Sequence, residues 1–295
     1  MPDYPSQVQR SGQAPPTVLI VAYRCDDHLA GCLADLDADQ VLVVDNGASG
    51  ATQEIVEHAG ARYLASPGNI GFAAAVNLGL GNTWDGQRDV LLLNPDARMA
   101  SSDVAALQDA LRAPGTRRAA VGPRLVGFDG NPQRASWPMP SPFQVWLDAF
   151  GLSRLWRGKR FVVGAALLLN GAALAALGGL DERYFLYAEE ADWQLRAQRA
   201  GWTVAVVESV TAKHFGAASS RDDALRNALF HASGEKFARR WYGALGWQVQ
   251  RFGALLAAAR RSLVGRRANR ELNRRTFLLY LRGSGTPDAA LRHSA

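Results

Sequence analysis

Four short apolar runs, each followed by a segment with helical periodicity, restrict this chain to a strand–helix alternation. "TVLIVAY" (17–23), "QVLVVDNG" (40–47), "ARYLAS" (61–66) and "DVLLLNPD" (89–96) have the length and residue types of strands. Between and after them, "HLAGCLADL", "ATQEIVEHAG", "FAAAVNLGL" and "SSDVAALQDALR" carry apolar residues at helical spacing, the last with Ser102 or Asp103 as the expected N-cap. Strands alternating with helices predict an α/β domain with a mostly parallel central sheet flanked by helices. In such sheets ligands sit beyond the carboxyl ends of the strands. Here those ends carry Tyr23-Arg24, Asp45-Asn46 and Asn94-Pro95-Asp96.

The second half is less regular. "AVGPRLV" and "TVAVVE" read as strands, "GNPQRASWPMPSPF" as a long proline-rich loop, and a helix is expected to run to Ala200 with Gly201 ending it. The apolar run "GAALLLNGAALAALGGL" (164–180) is interrupted by Asn170 and four glycines and is shorter than the ~20 residues a spanning helix needs. Residues 1–16 are polar and proline-rich, without an apolar stretch of signal-peptide length, and are expected to be a flexible leader. Cys25 and Cys32 lack metal-ligand neighbours and read as incidental thiols of a reducing compartment.

Charge divides the chain. The overall balance is +6, yet residues 236–282 hold twelve Lys/Arg against one acid, Glu271, so the remainder is net acidic. The expected organisation is a leader (1–16), a domain over 17–235 and a basic amphipathic helical tail over 236–295. In "WQVQRFGALLAAARRSLVGRRANRELNRRTFLLYL" arginine pairs alternate with Leu, Phe and Trp, as in helices that lie on anionic membranes. A homodimerisation helix and solvated arginines over a packed face are the other readings. Nucleic acid is disfavoured, because no binding motif accompanies the charge.

Several residues invite chemistry. Asp45 is either turn chemistry in Asp-Asn-Gly or an acceptor for a nucleoside. "SPGNIGFAAAVNLGL" opens on glycines and leads into a helix, where free N–H groups suit a phosphate or polar ligand. Asp96, just past a hydrophobic strand, is a turn acid or an oxygen ligand for Mg²⁺ or Mn²⁺. His214 is structural or shares a metal with a distant acid. In "FLYAEEADW" (185–193), with a helix starting near Ala188, Glu189 and Asp192 share a face and Glu190 projects elsewhere. A helix start favours acids. Acids among Phe185, Leu186, Tyr187 and Trp193 suggest a tuned general base.

Taken in order, "TVLIVAYR", "VLVVDNGAS", "GNIGFAAAVN", "LLLNPD", "GGLDERYFLYAEEADWQLRAQRAGW" and "AKHFGAASS" resemble family 2 glycosyltransferases, closest to the bacterial rhamnosyltransferase and galactofuranosyltransferase branch. The likeness spans roughly residues 17–220. It implies a GT-A fold and an inverting transfer from a nucleotide-diphosphate sugar, dTDP-L-rhamnose by the branch, assisted by Mg²⁺ or Mn²⁺. It further implies a glycan or lipid-linked acceptor in cell-envelope polysaccharide synthesis, at the inner face of the plasma membrane. Carried over by position, Ala22, Tyr23, Asp45, Asn69 and Gly71 would hold the nucleoside, and Asp96 and His214 the metal. Glu190 would be the base, standing where relatives usually have Asp. Glu189, Asp192 and Trp137 would support the base or the acceptor. The alternatives are a catalytically impaired GT-A protein acting as a partner, and a sugar-nucleotide nucleotidyltransferase. Against the latter, "AYRCDDHLAG" lacks a glycine-rich basic loop.

Overall fold

The computed structural model describes residues 14–216, 223–264 and 267–282. Residues 1–13 of the expected leader and 217–220 of "AKHFGAASS" lie outside the described residues.

The strand–helix alternation is present: β1 (Thr17–Ala22), α1 (Asp26–Leu33), β2 (Val41–Asp45), α2 (Gly50–His58), β3 (Arg62–Ala65), α3 (Phe72–Thr83), β4 (Val90–Leu93), β5 (Ala97–Arg98) and α4 (Ser101–Leu111). Helix α4 starts one residue before the expected cap: Ala100 holds the N-cap position and no side chain caps it. There follow β6 (Arg118–Val126), β7 (Pro132–Gln133), β8 (Ser136–Pro138), α5 (Pro142–Ala149), β9 (Arg160–Val162), β10 (Ala166–Leu169), α6 (Gly171–Leu177), α7 (Glu189–Arg199), β11 (Thr203–His214), α8 (Asp223–Val264) and α9 (Arg267–Arg282). The segment read as a proline-rich loop therefore contains two short strands and the start of a helix with Pro142 in its first turn. Proline is tolerated at such edges and helix starts, where no N–H is required.

The main sheet runs β3-β2-β1-β4-β10-β6-β11-β5, with β7 beside β6. Pairing is parallel across β3, β2, β1 and β4 and again between β6 and β11. Strand β10 enters antiparallel to both β4 and β6, and β5 is antiparallel to β11, so the sheet is mixed. Every residue of β1, β2, β4 and β10 is buried. Alternate residues feed two cores: Val18 and Ile20 pack towards α1 and α4, while Leu19 and Val21 pack towards α3 and α7. Covering on both faces is why these strands read as unbroken apolar runs.

Helix α8 crosses the expected 235/236 boundary without interruption and breaks instead at Gly243 (φ 69°, ψ −174°). Phe237, past that boundary, is fully buried against Tyr184, Ala191 and Leu195. Among the described residues no helix is long and apolar enough to cross a membrane. Both cysteines are free and buried, and burial pushes each thiol up to about 12.

Candidate active site

The carboxyl ends of β1, β2 and β4 open into a cleft of about 1600 Å³, bounded on its far side by α5, α8 and α9. Tyr23, Asn69, Gly71, Asp96, Trp137, Glu189, Glu190 and His214 all line it. Residues from six separate segments thus converge on one space.

Asn46, at the end of β2, organises one wall. Its side chain donates to Asn69 Oδ1 (3.1 Å) and accepts from the Ile70 N–H (3.1 Å) and Ser66 Oγ (3.2 Å). Asn69 Oδ1 in turn accepts from the Gly71 N–H (3.2 Å). The loop 66–71 is thereby tied to the sheet before α3 begins. Gly71 has φ +87°, and a Cβ there would sit 2.7 Å from the Phe185 carbonyl, which accepts from the Phe72 N–H (2.7 Å). Gly71→Ala is expected to cost more than about 1 kcal/mol, because the residue needs both a positive φ and the missing side chain. A thermal midpoint equal to the parent's would contradict this.

Asp45 is 1% exposed and does not line the cleft. Its carboxylate accepts from the Gly47 N–H (2.9 Å), the Ser49 N–H (2.8 Å) and Tyr63 Oη (2.9 Å), which fixes the turn after β2. Ala22, also buried, accepts from the Asn46 N–H through its carbonyl (2.8 Å).

At the opposite wall, β11 ends on His214, which the sequence had placed just beyond the strand. Gln133 Nε2 donates to the His214 carbonyl (2.8 Å), so its Oε1 meets His214 Nδ1 at 3.0 Å and accepts that proton. Nε2 then faces Asp96 Oδ1 and Asn94 Nδ2, each at 3.5 Å. An imidazole held at Nδ1 beside a carboxylate is a donor set suited to a divalent cation. Among the described residues no group of three or more His, Cys, Asp or Glu converges as a complete metal site. The fit is therefore a protein pair, Asp96 and His214, with the other positions left to ligand and solvent, as Mg²⁺ prefers.

Helix α7 enters the cleft by its N-terminus, after two successive non-glycine residues with left-handed backbone, Tyr187 (φ 69°) and Ala188 (φ 71°). Such residues cost of order 1–3 kcal/mol each and persist where their surroundings fix them. Here Ser233 Oγ donates to the Leu186 carbonyl (2.7 Å) and the Phe230 ring packs edge-on against Tyr187. Because the helix points end-on, both first-turn acids face the cleft, and Glu190 does not diverge from Glu189 as helical spacing alone implied. Glu189 Oε2 and Glu190 Oε2 are buried and have no hydrogen-bond partner among the described residues. Burial, then the neighbouring Glu190 charge, holds the Glu189 carboxyl well above the usual range; burial raises Glu190 too. Asp192, one turn deeper, leaves the cleft and meets α8. Trp137 stands at the cleft edge with the Arg134 guanidinium 4.0 Å from its ring centroid.

Gln133 and Arg134 escaped the sequence reading, and Gln133 is 81 positions from the histidine it orients. Asn46 was placed at a strand end on the ligand edge, without its part in tying down the loop 66–71.

Residues 17–168 match the Glycosyl transferase family 2 profile. The chain belongs to glycosyltransferase family 2. An N-acetylglucosaminyl-diphospho-decaprenol L-rhamnosyltransferase of Mycobacterium tuberculosis is 30% identical over 89% of this glycosyltransferase and 96% of its own length. The galactofuranosyltransferase GlfT1 of the same organism is 30% identical over 62% of this chain and 64% of its own. Among solved structures, glucosyl-3-phosphoglycerate synthase from Mycobacterium tuberculosis, bound to Mg²⁺ and uridine diphosphate, superposes with a TM-score of 0.53. It is 15% identical and covers 76% of this chain and 78% of that one. The fold of this glycosyltransferase is GT-A, with a helical C-terminal part formed by α8 and α9.

Proposed function

We propose that this glycosyltransferase performs an inverting transfer from a nucleotide-diphosphate sugar, dTDP-L-rhamnose by kinship, to a glycan or lipid-linked acceptor of cell-envelope polysaccharide. The observation that carries the reading is the convergence of Glu190, half-buried and raised in pKa by desolvation, with the Asp96–His214 pair in one cleft. Two of its named relatives are a rhamnosyltransferase and a galactofuranosyltransferase, and the name of the first includes a diphospho-decaprenol.

In this reading the backbone of Ala22 and Tyr23, with Asn69 and Gly71, holds the nucleoside. Asp45 acts through the turn it pins, its oxygens already taken by Gly47, Ser49 and Tyr63. Asp96 and His214 hold Mg²⁺ or Mn²⁺. The cation, when bound, offsets charge growing on the leaving diphosphate. Glu190 takes the proton of the acceptor hydroxyl as that oxygen bonds to the anomeric carbon and the nucleotide diphosphate departs. Burial keeps the Glu190 carboxyl basic, Glu189 stands beside it in the same turn, and Trp137 offers the acceptor an apolar platform. The basic helices α8 and α9 meet anionic lipid at the inner face of the plasma membrane.

A thermal-shift screen with dTDP-, UDP- and GDP-sugars in Mn²⁺ tests the donor. A saturating true donor, at about 100 times its Kd, stabilises by about 2.7 kcal/mol. Stabilisation is expected from dTDP-rhamnose, and none from any of these nucleotides would sink the reading. Gln133→Leu, which frees His214 to turn, is expected to weaken Mn²⁺ binding in the presence of dTDP by about 10–100-fold in calorimetric titration. Unchanged affinity would remove Gln133 from that role.

A further inference from the structure

Beyond the break at Gly243, α8 has two unlike sides. Leu245, Val249, Phe252, Leu256 and Leu263 fall at i, i+4, i+7, i+11 and i+18, within a narrow stripe at about 100° per residue. All five are exposed, Leu245 by 78% and Leu263 by 76%. On the opposite side Gln250, Ala254, Ala257, Ala258 and Arg261 line the cleft. One helix thickness, about 10–12 Å, separates an outward apolar stripe from the inner wall of the site.

The stripe continues onto α5 and the turn after it. Trp146 Nε1 donates to the Val249 carbonyl (3.0 Å), and Phe150 packs against Trp146 at 5.8 Å between ring centroids. Phe143, Phe150, Leu152 and Leu155 are exposed beside it, Phe143 by 68%. A contiguous apolar surface from two remote segments exceeds what scattered surface leucines require.

The charge around it is of one sign. Residues 149–160 and 244–264 contain no Asp or Glu, and besides Arg261 on the cleft side they hold Arg154, Arg157, Lys159, Arg160, Arg251 and Arg260. The adjacent carboxylate, Asp148, is paired with Arg261. A second copy seated symmetrically on this face would press cation against cation, which opposes pairing. An anionic bilayer supplies the missing charge and accepts the apolar side chains.

The geometry points to this composite face, α5 with the second half of α8, as the surface by which the enzyme lies on an anionic lipid bilayer. It does so as a monotopic contact that leaves the cleft one helix away from the headgroups. This deepens the lipid-linked acceptor reading and rests on it for its purpose. It also shifts the weight of membrane contact from the basic tail as a whole to residues that flank the cleft.

The experiment is flotation of the full chain with phosphatidylcholine vesicles, with and without phosphatidylglycerol. The parent is expected to float only with the anionic vesicles. Leu245→Gln/Phe252→Gln/Leu263→Gln should weaken that binding at least ten-fold, given about 0.8 kcal/mol per buried CH₂. Arg154→Gln/Arg157→Gln, a second variant of exposed side chains, should weaken it and reduce its salt dependence. In both variants the thermal shift with dTDP-rhamnose should match the parent's, showing an intact fold and cleft. Flotation of the triple variant equal to the parent, or no flotation of the parent, overturns the proposal. So does a parent dimer by light scattering that the triple variant renders monomeric. A parent that floats without any sugar-nucleotide shift keeps this face and removes the donor reading; a parent that shifts without floating does the reverse.

Discussion

Glu190→Gln is expected to lower sugar transfer by about 10²–10⁴-fold, the contribution of a positioned base, while donor affinity stays near the parent value. The carboxylate faces the cleft from the first turn of α7 and its Oε2 has no partner among the described residues, so the amide should be accommodated without disturbing the wall. The pH profile carries the second half of the prediction. The base acts ionised, and burial raises its pKa in the folded protein, so turnover should climb with pH through a limb lying above the ordinary carboxylate range. Glu190→Asp withdraws the carboxylate by one methylene and should retain only part of the rate, since an ångström of misplacement costs about 10²-fold. Turnover of Glu190→Gln equal to the parent would take the base assignment away.

Asp192→Ala is expected to damage the fold and leave the chemistry of molecules that do fold largely alone. The side chain is fully buried and accepts from Trp241 Nε1 (2.8 Å) and Tyr184 Oη (3.2 Å). Arg196 (3.2 Å) and Arg240 (3.3 Å) complete its surroundings. Removing one partner of such a buried network leaves uncompensated charge and costs about 3–5 kcal/mol. For a chain of this size that is a fall of roughly 2–4 °C in thermal midpoint per kcal/mol. A denaturation midpoint unchanged in the variant would refute the role. The same network explains why cutting the chain after residue 235 is a poor way to study the tail: it removes Trp241, Arg240 and the buried Phe237 from the body.

The sequence was most readable where strands are buried on both faces. β1, β2 and β4 are unbroken apolar runs because no side chain in them meets solvent, and the polar residues that end them mark the cleft. The direction of a strand leaves no such mark. β10 is as apolar as β4, and nothing in "ALLL" tells that it runs antiparallel. Short strands rich in proline, such as β7 and β8, are equally silent. In the site, spacing grouped Glu189 with Asp192, yet the end-on approach of α7 sends the first into the cleft and the second into α8. The partners that orient His214 and Asp192 come from Gln133, Trp241 and Arg240, at separations over which periodicity carries no information.

The hydrogen bond between Trp241 and Asp192 also sets an order of events at the ribosome. The sheet can close once residue 214 has emerged, since β11 is its last strand in the chain. The acidic turn of α7 must then wait for Ser233, Phe237 and Trp241, which clamp it from α8. Domains fold as units during synthesis, N-terminal parts first. A nascent chain stalled in the early part of α8 would thus carry all six sequence blocks of the family with Glu190 still unheld, and the catalytic turn would be the last part of the body to mature.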